Sequence, residues 1–255
     1  MNVFAPLLDE LGRWQDRGMV ASLWWRDDDA MSVSPALQSL LRVSDQTGTP
    51  VVLATIPFGA TAALAERLGR SPQVRIWQHG IRHANAAGLF AKKQELTDAC
   101  PQTLSDLALG QARLRSLFGA QFQPALVPPW NRISPALPPR LAGLGFSALS
   151  TYSARRQAWA APNVHQVNTH VDLMAWRPER RFLDAETCVH GICRHLAARR
   201  TGAADKDEPT GILSHHLVMP DEAWAFLVAL FEATKKHPSC EWVTPALSQT
   251  PLDAR

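Results

Sequence analysis

The spacing of apolar positions along this chain switches repeatedly between a helical period and continuous runs. Phe4, Leu7, Leu8, Leu11 and Trp14 recur at helical spacing with charged residues between them, which predicts an N-terminal helix over about 2–17. Gly18 ends it, and Val20 to Trp25 reads as a buried strand. Pro35 to Ser44 predicts a helix. Pro50 to Ile56 is a β-branched apolar run of the kind that forms strands covered on both faces. Helices follow at Ala60 to Leu68, Leu104 to Phe118 and Pro135 to Leu144, and strands at Val74 to Gln78, Ala125 to Val127 and Phe146 to Ser150. The second half is less regular. It predicts strands over Val164 to Asn168 and Val171 to Ala175, a helix from an Asp184 N-cap to about Arg200, and a polar loop from Gly202 to Pro209. A strand over Gly211 to Val218, an Asp221-capped helix to about His237 and a short strand at Trp242 and Val243 complete the pattern.

Repeated strand–helix units without a break in composition predict an α/β fold in a single domain over 1–255, either a β/α barrel or a doubly wound sheet. A chain of 255 residues can bury a sizeable core without disulfides, and 46% apolar against 19% charged residues marks a compact protein rather than a disordered one. The net charge of +3 comes from scattered Arg, with no basic stripe interleaved with aromatic residues, which argues against a nucleic-acid partner. No stretch approaches the ~20 apolar residues of a membrane span. The first residues lack a basic leader, and Asp9 and Glu10 interrupt the apolar run, so a cytoplasmic location is expected. Cys100, Cys188, Cys193 and Cys240 are expected as reduced thiols there.

Four clusters could carry chemistry. The strand SLWW ends in Arg26-Asp27-Asp28-Asp29. Three adjacent carboxylates at a buried strand end are costly unless a cation or donors hold them, although a solvated turn is the ordinary alternative. The strand VRIWQ ends in His79-Gly80-Ile81-Arg82-His83. Two histidines four apart share one face of a helical turn and can hold one metal, but surface histidines show the same spacing. The strand ALV ends in Pro128-Pro129-Trp130-Asn131-Arg132, where the first free N–H belongs to Trp130; a rigid N–H suits an oxyanion, and an ordinary Pro-rich turn would look alike. The strand GILS ends in His215-His216, which alternation sends to opposite faces, so one of the two can act as a general acid in a pocket. A fifth cluster, Cys188, His190, Cys193 and His195, has zinc-like composition. At ~100° per helical residue its members point in different directions, so it reads as core thiols and surface histidines. The first four clusters each end a predicted strand, and in a β/α barrel those ends converge on the active-site face.

In order and character these motifs resemble the polysaccharide deacetylase (NodB-homology, carbohydrate esterase 4) family over about Leu23 to Val218. The resemblance implies a distorted (β/α)7-type barrel and a divalent metal, zinc foremost, with Co2+, Ni2+ or Fe2+ compatible with the ligand types. It implies that Asp28 is the catalytic base and that Asp29, His79 and His83 are metal ligands. Trp130 supplies an oxyanion N–H, His215 is the general acid, and Asp172, in a motif with Trp176, holds the His215 imidazolium. Trp130, Arg132 and Trp176 are candidates for contact with substrate, and no organic-cofactor residues are expected. Several positions depart from the family pattern: Asp27 stands for an aromatic, Ala30 for Gly, Gly80 for a Ser/Thr that braces the His loop, and Val127 for an Arg that orients the base. Arg132 or Arg26 could supply the missing cation. Trp24, Trp25, Trp77 and Trp159 also fall near the site strands, as core residues or as a sugar platform, and Lys92 and Lys93 follow the His loop. The expected activity is metal-dependent removal of an N-acyl group, N-acetyl foremost, from an amino sugar, oligosaccharide or conjugate. A non-catalytic carbohydrate-binding or regulatory protein on the same scaffold, or a hydrolase of cyclic amides or formamides, are the alternatives. The sequence sets no oligomeric state.

Overall fold

The computed structural model describes residues 2–247, so the part of the expected 1–255 domain beyond Leu247 lies outside the described residues. In chain order the strands are β1 (Ala21–Ala30), β2 (Val51–Thr55), β3 (Val74–His79), β4 (Phe122–Val127), β5 (Ala148–Leu149), β6 (Trp159–Ala161), β7 (Val164–Gln166), β8 (Val171–Asp172), β9 (Met174–Ala175), β10 (Arg181–Phe182), β11 (Thr210–Ser214) and β12 (Cys240–Trp242). The helices are α1 (Ala5–Gln15), α2 (Pro35–Thr47), α3 (Ala62–Leu68), α4 (Pro101–Phe118), α5 (Pro138–Leu141), α6 (Ala185–Thr201) and α7 (Asp221–Thr234).

The parallel order β11-β1-β2-β3-β4-β5-β7 forms the main sheet, and β8 pairs with the far side of β11. β7 and β8 are successive parts of one extended run. Its first half bonds toward β5 (Val167 N–H to Leu149 O, 3.0 Å) and its second half toward β11 (His170 N–H to Gly211 O, 2.7 Å). The run therefore closes the sheet on itself into a ring of β1, β2, β3, β4, β5, 164–172 and β11. The short β5 and β8 make that ring irregular.

Period-2 alternation divides the core. Trp24, Val52, Ala54, Trp77, Ala125, Val127, Ala148 and Val167 fill the barrel interior. Their neighbours Leu23, Trp25, Val51, Leu53, Val74 and Ile76 face outward against the helices, including Leu37, Leu40, Phe226 and Phe231. Small residues opposite two tryptophans keep the interior filled without overpacking. Gly211 belongs to the same fit: a Cβ there would lie 2.5 Å from Trp24 Nε1.

The structure differs from the sequence expectations at several boundaries. β1 continues through the acidic triplet to Ala30, because Asp27 and Asp28 find partners inside the fold. The strand predicted from Gly211 to Val218 stops at Ser214 and passes into a turn. Asp221 does not cap α7; Pro220 occupies that position, and Asp221 and Glu222 sit in the first turn, where they complement the helix dipole. No helix among the described residues is long and apolar enough to cross a membrane.

Candidate active site

The four clusters meet at the C-terminal mouth of the barrel, and the acidic triplet splits into three different environments there. Asp27 points outward between β1 and β11. It accepts from Ser214 Oγ (2.5 Å), His216 N–H (2.9 Å) and His216 Nδ1 (2.5 Å). Burial opposes the charge on His216, but Asp27 outweighs it and raises the pKa of this imidazole. Of the two adjacent histidines, His216 is therefore committed to the core.

Asp28 lies on the interior face with Arg26, two residues earlier on the same side of the strand. The Arg26 guanidinium grips both its oxygens, Nε to Oδ1 at 2.9 Å and Nη2 to Oδ2 at 3.1 Å. The fork is held in turn by Ser150 Oγ (2.8 Å) and Asn131 Oδ1 (2.8 Å). Between the two cations considered from sequence, the geometry selects Arg26. Arg132 instead donates to the Lys93 carbonyl at 2.7 Å.

Asp29 has φ 74°, a left-handed conformation at the irregularity in β1 pairing, and this turn swings its carboxylate into the mouth beside Asp28. Its Oδ1 lies 3.2 Å from His79 Nε2 and 3.3 Å from His83 Nε2. His79 Nδ1 is 2.9 Å from Val127 O, and a carbonyl only accepts, so the Nδ1–H donates and Nε2 is free for a cation. The two histidines do not share a helical turn, as the spacing had suggested. His79 ends β3 and His83 sits in a loop with φ 58°, yet their rings are 5.1 Å apart. Burial would raise the Asp29 pKa, but both histidines together drive it well below the ordinary carboxylate range. Burial likewise opposes charge on His79, and Asp28 and Asp29 overcome it and raise its pKa. His83 is lowered by burial and by His79.

The Pro128-Pro129 turn carries Trp130 and Asn131, both at positive φ (56° and 55°). Trp130 packs on His83 with ring centres 4.5 Å apart. Left-handed conformations at Asp29, His83, Trp130 and Asn131 therefore collect at one rim; strain of this kind persists only where the surroundings dictate it, and it marks functional sites. Opposite them, His215 is half-buried, with Nδ1 3.8 Å from Asp172 Oδ1. Trp176 meets the His215 ring edge-on at 4.6 Å and donates Nε1–H to Asp172 Oδ2 at 2.7 Å. Burial is the main cause of a raised Asp172 pKa. Trp24, Trp25 and Trp77 are fully buried core residues, and Trp159 is half-buried on β6 with its ring 5.5 Å from that of His165; Trp130 and Trp176 are the tryptophans that pack on the site histidines.

A second titratable cluster lies at the other end of β11, where His170, His195 and Glu208 are all buried within reach of one another. The Gly211 N–H donates to His170 Nδ1 at 2.9 Å, which places the imidazole proton on Nε2, facing Glu208 at 3.3 Å. Both Glu208 oxygens already accept backbone N–H groups, from Arg155 and Asn168. The carboxylate is thus committed to the backbone, while His170 Nε2 and His195 Nε2 are buried without a hydrogen-bond partner. His195, expected on the surface, is buried against it, and burial pushes its pKa down to about 2. Cys188 is buried and His190 exposed, so the CxHxxCxH residues do not gather.

No family model and no curated protein matches the sequence. Solved structures do. A polysaccharide deacetylase from Bacillus cereus is 13% identical, with a TM-score of 0.54 over 91% of this chain and 95% of that one. The fold is that of the polysaccharide deacetylases. A family 4 carbohydrate esterase from Streptomyces lividans in complex with acetate is 17% identical, with a TM-score of 0.53 over 84% of this chain and 88% of that one. A family 4 acetyl xylan esterase from Clostridium thermocellum in complex with a cobalt ion is 16% identical, with a TM-score of 0.50 over 87% of each chain. At these identities the likeness is one of architecture.

Proposed function

We propose that this chain is a metal-dependent hydrolase that removes an N-acyl group, N-acetyl foremost, from an amino sugar or its conjugate. The observation that carries the reading is the convergence of Asp29, His79 and His83. Asp29 Oδ1 is buried and without a hydrogen-bond partner, yet two imidazole nitrogens face it at 3.2 and 3.3 Å. One carboxylate and two imidazoles fit a divalent ion, zinc foremost. The structural neighbours, two carbohydrate esterases and a polysaccharide deacetylase, one of them with cobalt, point the same way.

A divalent ion held by these three residues supplies Lewis acidity toward a carbonyl and acidifies water. The protein residues do the rest. Asp28, aimed by the Arg26 guanidinium, accepts the proton of the attacking water. The Trp130 N–H donates to the oxygen on which negative charge develops. His215 protonates the departing amine, and Asp172, fixed by the Trp176 indole and the Met174 N–H (2.9 Å), steadies the imidazolium. The Trp130 and Trp176 rings flank the mouth as surfaces for a sugar.

Metal content and acetate release from N-acetylated amino sugars test this together. Asp28→Ala is expected to retain metal and lose turnover, whereas His79→Ala loses the metal. Equal metal content in wild type and His79→Ala would overturn the assignment.

A further inference from the structure

The segment that carries the two histidines makes almost no regular structure of its own, and its backbone donors converge on one distant carboxylate. Glu95 Oε2 accepts from the Ile81 N–H at 2.9 Å, and Glu95 Oε1 accepts from the Arg82 N–H at 2.8 Å and the Ala84 N–H at 3.0 Å. Gly80 at φ 56° and His83 at φ 58° break any helical ladder here, so these N–H groups form a concave nest for an anion. The nest has no room for a side chain at residue 80. A Cβ there would lie 2.1 Å from Glu95 Oε2 and 2.5 Å from Pro129 Cδ. Gly80, Glu95 and Pro129 therefore interlock, and the brace that a Ser or Thr at position 80 could have supplied comes from Glu95.

We propose that Glu95 is a positioning residue for the metal ligands. Its carboxylate fixes the backbone on both sides of His83, so that the imidazole is presented to Asp29 and His79. A left-handed, β-substituted residue such as His83 costs on the order of 1–3 kcal/mol, and three charge-assisted hydrogen bonds offset this. Removal of Glu95 should not dismantle the neighbouring loop. That loop closes on itself through Ala86 N–H to Gln94 O (2.9 Å) and Gln94 N–H to Asn85 Oδ1 (3.0 Å). What is lost is the orientation of the loop toward the metal ligands.

The inference rests on the metal-site reading above, and the experiment separates the two. Zinc affinity is measured by chelator competition, and the cobalt(II)-loaded visible spectrum is recorded, for wild type, Glu95→Ala and Glu95→Gln. The same Glu95 variants are made on a His83→Ala background. Glu95→Ala is expected to weaken zinc binding about 10- to 100-fold and to change the cobalt spectrum, with the metal-free protein still unfolding in one cooperative urea transition. Glu95→Gln loses less, because its carbonyl oxygen still accepts from Arg82 and Ala84. With His83 already removed, Glu95→Ala should change affinity by no more than about twofold. Gly80→Ala, which puts a methyl group where the carboxylate lies, should reproduce the loss through an independent change. Wild-type affinity in Glu95→Ala, or an equal loss with and without His83, overturns the role of Glu95. Wild-type protein that binds zinc no better than His79→Ala overturns the metal site itself.

Discussion

Arg26 is fully buried in the barrel interior, and its guanidinium neutralises a carboxylate that is itself only 3% exposed. Replacement by Met keeps the approximate length of the side chain but deletes its bonds to Asp28, Ser150, Thr151 and Asn131. Removal of one partner of a buried pair leaves the other charge uncompensated, which costs about 3–5 kcal/mol. The lost bonds to Ser150 and Asn131 are worth roughly 1 kcal/mol each in isolation, but they belong to the same network and are not added. At about 2–4 °C per kcal/mol for a domain of this size, the melting temperature should fall on the order of 6–20 °C. Urea denaturation at 25 °C measures the loss directly. The companion double variant Arg26→Met/Asp28→Leu removes both charges, and it should recover most of the stability while remaining inactive. If Arg26→Met lies within about 1 kcal/mol of wild type, or if the double variant is no more stable than the single one, the ion pair is not what holds this strand end together.

Two further outcomes follow from the same geometry. Asp28 and Asp29 raise the pKa of His79 above its ordinary 6.5, and a protonated imidazole cannot ligate, so zinc affinity should be greatest above the raised value. It should fall as pH drops through that value, toward about tenfold per pH unit for the one proton displaced; zinc titrations between about pH 8.5 and 5.5 check this, and a flat profile contradicts it. In the metal-free protein the sign is reversed: the paired imidazolium contributes stability below 6.5 that is lost as pH rises through the raised pKa. Gly211→Ala places a methyl group 2.5 Å from Trp24 Nε1 and 2.8 Å from the Asn168 carbonyl, so it should destabilise by about 1–3 kcal/mol in urea denaturation.

Alternation between strand and helix periods was legible because each element buries one face against the next, and burial writes its period into the residue pattern. The chemistry-bearing clusters were legible for a related reason: each follows directly on an apolar run, and parallel strands deliver their C-terminal ends to one rim. Local pattern misjudged the His79–His83 pair, which is brought together by a loop with left-handed turns rather than by a helical turn. It also left His195 on the surface, where tertiary packing buries it beside His170.

The braces were the least visible. Gly80 and Val127 stand where the resembling family has a Ser/Thr and an Arg, which signals that support must come from elsewhere; the sequence offered Arg26 and Arg132 for the base but no residue for the His loop. Arg26 reaches Asp28 along one strand face, and Glu95 enters a nest 14 residues back in the chain. Residue order thus determines which groups each strand end carries, because side-chain period and burial are local properties. Which donor satisfies which carboxylate is decided only when the barrel closes, because a buried charge takes the partner that the fold brings within 3 Å, however far away it lies in sequence.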